Sequence, residues 1–231
     1  MVMSGNDGVD AFNFCQVVSG IFIKNVADLY LYPNTVATIK VTGADVKEWL
    51  EMSAGQFNQI DVTKGGEQPL INTDFQAYNY DVIDGVTYEI DVTEPAKYDP
   101  KGNLVNDSAN RIKNLEFDGK PIDPNQVFLV ATNNYRASGN FPGVRNKSAV
   151  TMYPDENRQA IIDYILEVGT INPSADQNYR FSAVSSEVNV TFESSPDAQK
   201  VIGDNSPIAY VGEAAGGFAK YRLTLPVVAN Q

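Results

Sequence analysis

The sequence predicts an α+β fold, and three observations carry that expectation. β-branched residues alternate in short runs, as in TVATIKV at 35–41. Apolar residues recur at helical spacing in two longer segments, 43–54 and 155–168. The strands are joined by hairpins and loops in place of regular strand–helix–strand units.

The first periodic run is IKNVADLYL at 23–31, with Ile23, Val26, Ala27 and Tyr30 on one helical face. It stops ahead of Pro33, because a proline disfavours helical backbone in the residue before it. The strand 35–41 follows, then a helix from Gly43 to Ala54. Its inward residues are Val46, Trp49, Leu50 and Met52 or Ser53, and Trp49 is read as core. Residues 56–76 are polar and irregular. YDVIDGVTYEIDVT at 80–93 reads as a hairpin around Asp84-Gly85, a pair suited to positive φ. A loop covers 95–108, and a strand covers 111–118 until Gly119 and Pro121 end it. Pro124 introduces a strand at 127–132. The second helix, 155–168, has Asp155 as its cap and Gly169 as its stop. Its apolar face is Ala160, Ile161, Tyr164, Ile165 and Val168. Strands at 187–193, 207–213 and 217–225, with a short helix at 196–202, complete the chain, and no internal repeat is visible.

Composition excludes several kinds of function. The 231 residues suffice for one large domain with a real core. Seventeen basic against 29 acidic side chains give a net charge of −12. Such a surface repels phosphate backbones, so no nucleic-acid polymer is expected as partner. A single nucleotide needs only a local set of donors. There is no histidine, which rules out a Ser-His-Asp triad, a Cys-His pair and His-ligated metal within this chain. The lone Cys15 cannot form an internal disulfide and reads as a buried, inert thiol. No run reaches the roughly 18 apolar residues of a membrane span. The start, MVMSGNDGVDAFNF, has neither the basic nor the apolar region of a signal peptide.

Most candidate sites fail on spacing. Asp81, Asp84, Asp91 and Glu94 cluster near the hairpin without a paired-carboxylate pattern. DPKGNLVND at 99–107 lacks the acidic alternation of a calcium loop. GEAAGGFAK at 212–220 has glycines but no phosphate-loop lysine-serine pair and reads as a bend. Two aromatic loops remain: YLYPNT at 30–35 and NNYRASGNFPG at 133–143, each with a tyrosine beside an asparagine. Asparagine and glycine make turns, and that alone accounts for both stretches. The same residues also suit a ligand pocket. Two facing rings can sandwich a planar base, worth about 1–3 kcal/mol per ring, and an amide offers both donor and acceptor to a base edge.

Three blocks, YLYPNTVATIKVTGADVKEWLEMSAGQFNQID, FQAYNYDVIDGVTYEIDVT and VFLVATNNYRASGNFPG, occur in an order that resembles the C-terminal domain of the 5'-nucleotidase family. The likeness is strongest to the bifunctional 2',3'-cyclic-nucleotide 2'-phosphodiesterase/3'-nucleotidases and runs from about Ile21 to Leu225. It implies a layered α/β/β/α arrangement with mixed sheets, over residues 21–231. Residues 1–20 match poorly, with only GNDG at 5–8 and SG at 19–20 where the family has a glycine-rich turn. The resemblance further implies a nucleoside-binding specificity domain, with 3'-nucleotides and 2',3'-cyclic nucleotides as ligands. Its partner would be an N-terminal metallophosphoesterase domain of the same polypeptide. That domain would hold two divalent metal ions, whereas no cofactor and no catalytic residue is expected in this chain.

Carried onto this sequence, Tyr32 and Tyr135 would clamp the base, and Asn34 would touch it from the first loop. Asn133 and Asn134 would shape the second loop, and Ser138, Gly139 or Asn140 would reach the base edge. Arg136 would either approach substrate phosphate or face solvent. Tyr78, Tyr80 and Tyr88 are expected to pack, and Asn178 to Phe181 to be structural. The family implies an extracellular, periplasmic or wall-associated location. Two other readings stay open: a non-catalytic surface module with the same fold, and a specificity domain for 5'-nucleotides or sugar nucleotides.

Overall fold

The computed structural model describes residues 2–4, 26, 28–147, 149–171, 175–204 and 206–228. Strand β1 (Val2–Ser4) pairs antiparallel with β4 (Asp81–Ile83). A three-stranded sheet has β2 (Thr35–Thr42) at its centre, between β8 (Val127–Asn133) and β9 (Val150–Glu156). A four-stranded sheet runs β10 (Tyr179–Phe181), β5 (Val86–Ile90), β6 (Ile112–Phe117), β7 (Lys120–Pro121). A second runs β12 (Ile208–Glu213), β13 (Ala219–Leu223), β11 (Asn189–Ser194), β3 (Glu67–Pro69). Two pairings are parallel, β10 with β5 and β11 with β3, so the sheets are mixed. Among the described residues they are joined by the helices α1 (Gly43–Ser53), α2 (Asn134–Ser138) and α3 (Asn157–Val168). This is the α+β class that the sequence predicts.

Helix α1 lies at the centre. Thr42 caps it, its Oγ1 accepting the Asp45 N–H while the Asp45 carboxylate accepts the Thr42 N–H, which satisfies two end groups reciprocally. Val46, Trp49, Leu50 and Met52 are buried, as the periodicity predicts, and Ser53 is buried with them. They pack with Ile39 and Val41 of β2, Ile83, Tyr88, Ile90 and Ile112. The surprise is Glu51, also buried. Its two oxygens accept the backbone N–H groups of Arg111 and Ile112, each at 3.0 Å. Burial pushes its carboxyl above the ordinary value. Arg111, equally buried, donates to the carbonyls of Ala54, Phe57 and Glu94 beyond the end of α1. These two side chains replace an apolar contact with backbone hydrogen bonds, which hydrophobic patterning cannot reveal.

Two expectations need correction. The Asp84-Gly85 turn forms, with Gly85 at φ 91°, but its arms do not make a hairpin. The edges of β5 are taken by β6 and β10, so β4 pairs with β1. True hairpins occur at β6–β7, around Asp118-Gly119, and at β12–β13. Helix α3 starts at Asn157, since β9 continues through Asp155 and Glu156, and no side chain caps it. Of its predicted apolar face only Ile161 and Ile165 are half-buried, whereas Ala160, Tyr164 and Val168 are exposed. The helix expected at 23–31 is described only at Val26, Asp28 and Leu29, with the Tyr30 N–H bonded to the Val26 carbonyl. Ile23, Ala27, Cys15 and the GNDG and SG stretches lie outside the described residues.

Candidate functional site

The first aromatic loop leads into β2, and the second leaves β8, its antiparallel neighbour. Val36 faces Asn133 in the register, so strand pairing alone brings the two loops to one end of the sheet. Side chains then tie them. Asn134 Oδ1 accepts the Thr35 N–H at 3.1 Å. The Tyr30 hydroxyl lies 3.0 Å from the amide nitrogens of both Asn34 and Asn133. Asn133 also caps α2, its Oδ1 accepting the Arg136 N–H at 2.7 Å. The polar residues that read equally as turn formers and as pocket formers thus act first as fasteners between loops.

The rings stand clear of this polar junction. Tyr32 is 49% exposed and Tyr135 is 53% exposed, large values for aromatic side chains. Tyr135 meets Tyr78 edge to face, 6.2 Å between centroids. Tyr78 was read as packing; it is half-buried and shares the surface on which Tyr135 lies. Tyr80 and Tyr88 do pack, both against Tyr179. Ser138 and Asn140 are exposed, and the Ser138 hydroxyl donates back to the Asn134 carbonyl. Gly139 closes the turn, its N–H bonded to the Arg136 carbonyl.

Arg136 occupies neither of the places considered for it. It is 3% exposed and turned inward, with Nε 2.6 Å from Asp81 Oδ2. Its Nη2 reaches Asp81 Oδ1, the Tyr78 carbonyl and Asn79 Oδ1. The guanidinium lies 3.9 Å from the Phe141 ring centroid, a cation–π contact. Asp81 also accepts the Trp49 indole N–H at 2.7 Å. Burial pushes the Asp81 carboxyl up, against the opposing pull of the Arg136 charge and the Trp49 bond. Adjacent residues of α2 therefore part company: Tyr135 goes out to solvent, and Arg136 goes into the core.

With this geometry in place, comparison with known proteins is decisive. The model of the family described as 5'-nucleotidase, C-terminal domain, matches residues 7–142. The chain belongs to this family. It is 54% identical over 204 residues to the trifunctional nucleotide phosphoesterase protein YfkN of Bacillus subtilis, covering 87% of this chain and 14% of that one. It is 50% identical over 230 residues to a 2',3'-cyclic-nucleotide 2'-phosphodiesterase/3'-nucleotidase of Salmonella typhimurium, covering 94% of this chain and 35% of that one. The chain thus spans about a third or less of the length of these relatives. The 5'-nucleotidase precursor of Thermus thermophilus superposes with a TM-score of 0.52 at 14% identity, over 70% of this chain and 28% of that one. At that identity the likeness speaks for the fold.

Family membership brings the question of metals. The chain has no histidine, and among the described residues no group of three or more His, Cys, Asp or Glu is placed to hold an ion. These residues do not fit a two-metal centre.

Sequence reasoning missed Tyr30, Tyr78, Asp81, Asn157 and Arg158 around the site. The sequence puts Tyr30 on an apolar helix face and at the start of the first aromatic loop, but gives no sign of what its hydroxyl bonds. Asn157 and Arg158 open α3 and grip the first loop: the Asn157 N–H donates to the Asn34 carbonyl, and Arg158 donates to the carbonyls of Tyr30 and Leu31. Nothing in their local pattern signals this, because they lie more than 120 positions from their partners.

Proposed function

We propose that this chain is the nucleoside-binding specificity domain of a 2',3'-cyclic-nucleotide 2'-phosphodiesterase/3'-nucleotidase. The observation that carries the reading is the pair of half-exposed tyrosines, Tyr32 and Tyr135, on loops bonded to each other at one sheet end. A planar base enters between the rings, with Asn34 at its edge and Ser138, Gly139 and Asn140 along the second loop. Asn133, Asn134 and Arg136 serve by holding that loop. The family relationship and the names of the relatives support a nucleotide ligand.

In the whole protein, an N-terminal metallophosphoesterase domain on the same polypeptide supplies two metal ions and the hydrolytic chemistry. Residues 21–231 supply binding energy that places the scissile phosphate. The process served is nucleotide catabolism in a bacterium, at an extracellular, periplasmic or wall-associated location. Among the described residues no helix is long and apolar enough to cross a membrane.

The test is calorimetric titration of the chain with adenosine, 3'-AMP and 2',3'-cyclic AMP, for wild type and Tyr135→Ala. Saturable binding that weakens about 5- to 150-fold in the variant is expected, the equivalent of about 1–3 kcal/mol of lost stacking. Absence of binding to all three at millimolar concentration overturns the reading and favours a surface module that keeps only the fold.

A further inference from the structure

We infer that the Tyr30 hydroxyl is the positioning group that sets the two ring-bearing loops at one fixed separation; its bearing on ligand affinity rests on the base-sandwich reading above. Three side-chain amides converge on this single oxygen, each at 3.0 Å: Asn34 from the first loop, Asn133 from the second, and Asn157 from the start of α3. The farthest of the three, Asn157, lies 127 residues from Tyr30 in sequence. No other side chain described here joins both loops and the helix at one atom.

The chemistry of a hydroxyl sharpens the point. Its oxygen accepts two hydrogen bonds and donates one. Three surrounding amides saturate it when two donate N–H and the third turns its oxygen to take the hydroxyl proton. Asn133 is not the one that turns, because its Oδ1 already holds the Arg136 N–H. The acceptor is therefore Asn34 or Asn157, and the Asn157 Oδ1 is buried without another partner. A saturated hub resists displacement of any one arm, since each lost bond strands a polar group. Tyr32 stands two residues from the hub, and Tyr135 two residues from Asn133. The Arg158 guanidinium, donating to the main-chain carbonyls of Tyr30 and Leu31, braces the same corner.

Tyr30→Phe keeps the ring and removes only the hydroxyl. Amide hydrogen exchange, read residue by residue by NMR, reports the junction without any ligand. The Thr35 and Arg136 amides, held by Asn134 and Asn133, are expected to exchange about tenfold faster, while the amides of α1 keep their rates. In a wild type that binds adenosine, the dissociation constant rises about tenfold, while the stranded amides lower the thermal midpoint by only a few degrees. Unaltered exchange at Thr35 and Arg136 overturns the inference, as does acceleration shared equally by α1, which marks general destabilisation. Unaltered adenosine affinity beside faster exchange also overturns it. A wild type that binds no nucleoside defeats the proposed function, and the exchange comparison alone then decides the role of Tyr30. Should Tyr30→Phe fail to fold, Asn157→Ala removes one arm with the hydroxyl intact, and faster exchange at Thr35 is again the expected result.

Discussion

The two loops at the sheet end carry similar residues and are held in unlike ways. The second loop is rooted in the core. Arg136 pairs with Asp81 beneath it, and Phe141 is buried against the guanidinium. Gly143, at φ 79°, rests directly on α1, where a β-carbon would come within 2.2 Å of the Asp45 carbonyl oxygen. The first loop has no such root among the described residues. Polar contacts hold it: the Tyr30 hub, the Asn134 bond to Thr35 and the grip of Arg158. A ring on the second loop thus sits on a platform packed into the core, and a ring on the first sits on a jaw held by hydrogen bonds. The contrast is between one loop held by core packing and one held by hydrogen bonds at the same end of the sheet.

The largest expected effect breaks the fixed side. Arg136→Met keeps much of the side-chain volume and leaves Asp81 buried without its counter-charge. Breaking a buried pair from one end costs about 3–5 kcal/mol, since the remaining charge is left uncompensated. Urea unfolding should show a midpoint lowered accordingly, with the slope unchanged. A loss below about 1 kcal/mol would mean the second loop is no more rooted than the first, and the contrast would fail.

A smaller effect is expected on the hydrogen-bonded side. Arg158→Ala removes two donors from the carbonyls of Tyr30 and Leu31, one of them in an exposed contact. Stability should fall by only about 1 kcal/mol, as for ordinary hydrogen bonds. Adenosine affinity should fall severalfold, because the jaw holding Tyr32 is loosened while the platform stays. Equal losses of stability and affinity at both positions would erase the distinction between jaw and platform.

The sequence made the outward residues of this site legible and left its inward supports hidden. Alternation and helical periodicity place β2, α1 and β8 close to their actual bounds, because β2 and α1 bury apolar stripes and β8 half-buries Phe128 and Val130. Chemistry and resemblance single out Tyr32, Asn34 and the Asn133–Tyr135 stretch as candidates, and the fold brings their two loops to one sheet end. Arg136 was misplaced because a charged residue in a loop reads as solvated, and only the fold brings Asp81, 55 residues earlier, beneath it. The same blindness hid Glu51 and Arg111, whose partners are backbone groups across the core. The hairpin at 80–93 failed for a related reason: turn chemistry fixes where the chain reverses, and the competition among strand edges decides which arms pair.

The smallest effect sharpens the comparison at the trailing end of the second loop. Lys147 Nζ lies 2.6 Å from Asp45 Oδ2, so the loop is pinned electrostatically to the start of α1. Burial pushes the Asp45 carboxyl up, but its bonds from Lys147 and Thr42 outweigh this and hold it below its ordinary 3.8. A carboxyl depressed in the folded state stabilises the fold fully above its unfolded value. That contribution fades as the pH falls through the depressed one. Asp45→Asn removes it at every pH. Wild type and variant should therefore differ by up to about 1 kcal/mol at neutral pH, the scale of a helix cap, and converge in strong acid. Denaturant midpoints measured from pH 7 down to about 2 would show this. The affinity for adenosine at pH 7 should hardly move, because Arg136 and Phe141 still root the loop. If Asp45→Asn weakens adenosine binding as much as Arg158→Ala does, the platform depends on its surface pin, and its rigidity does not come from the core.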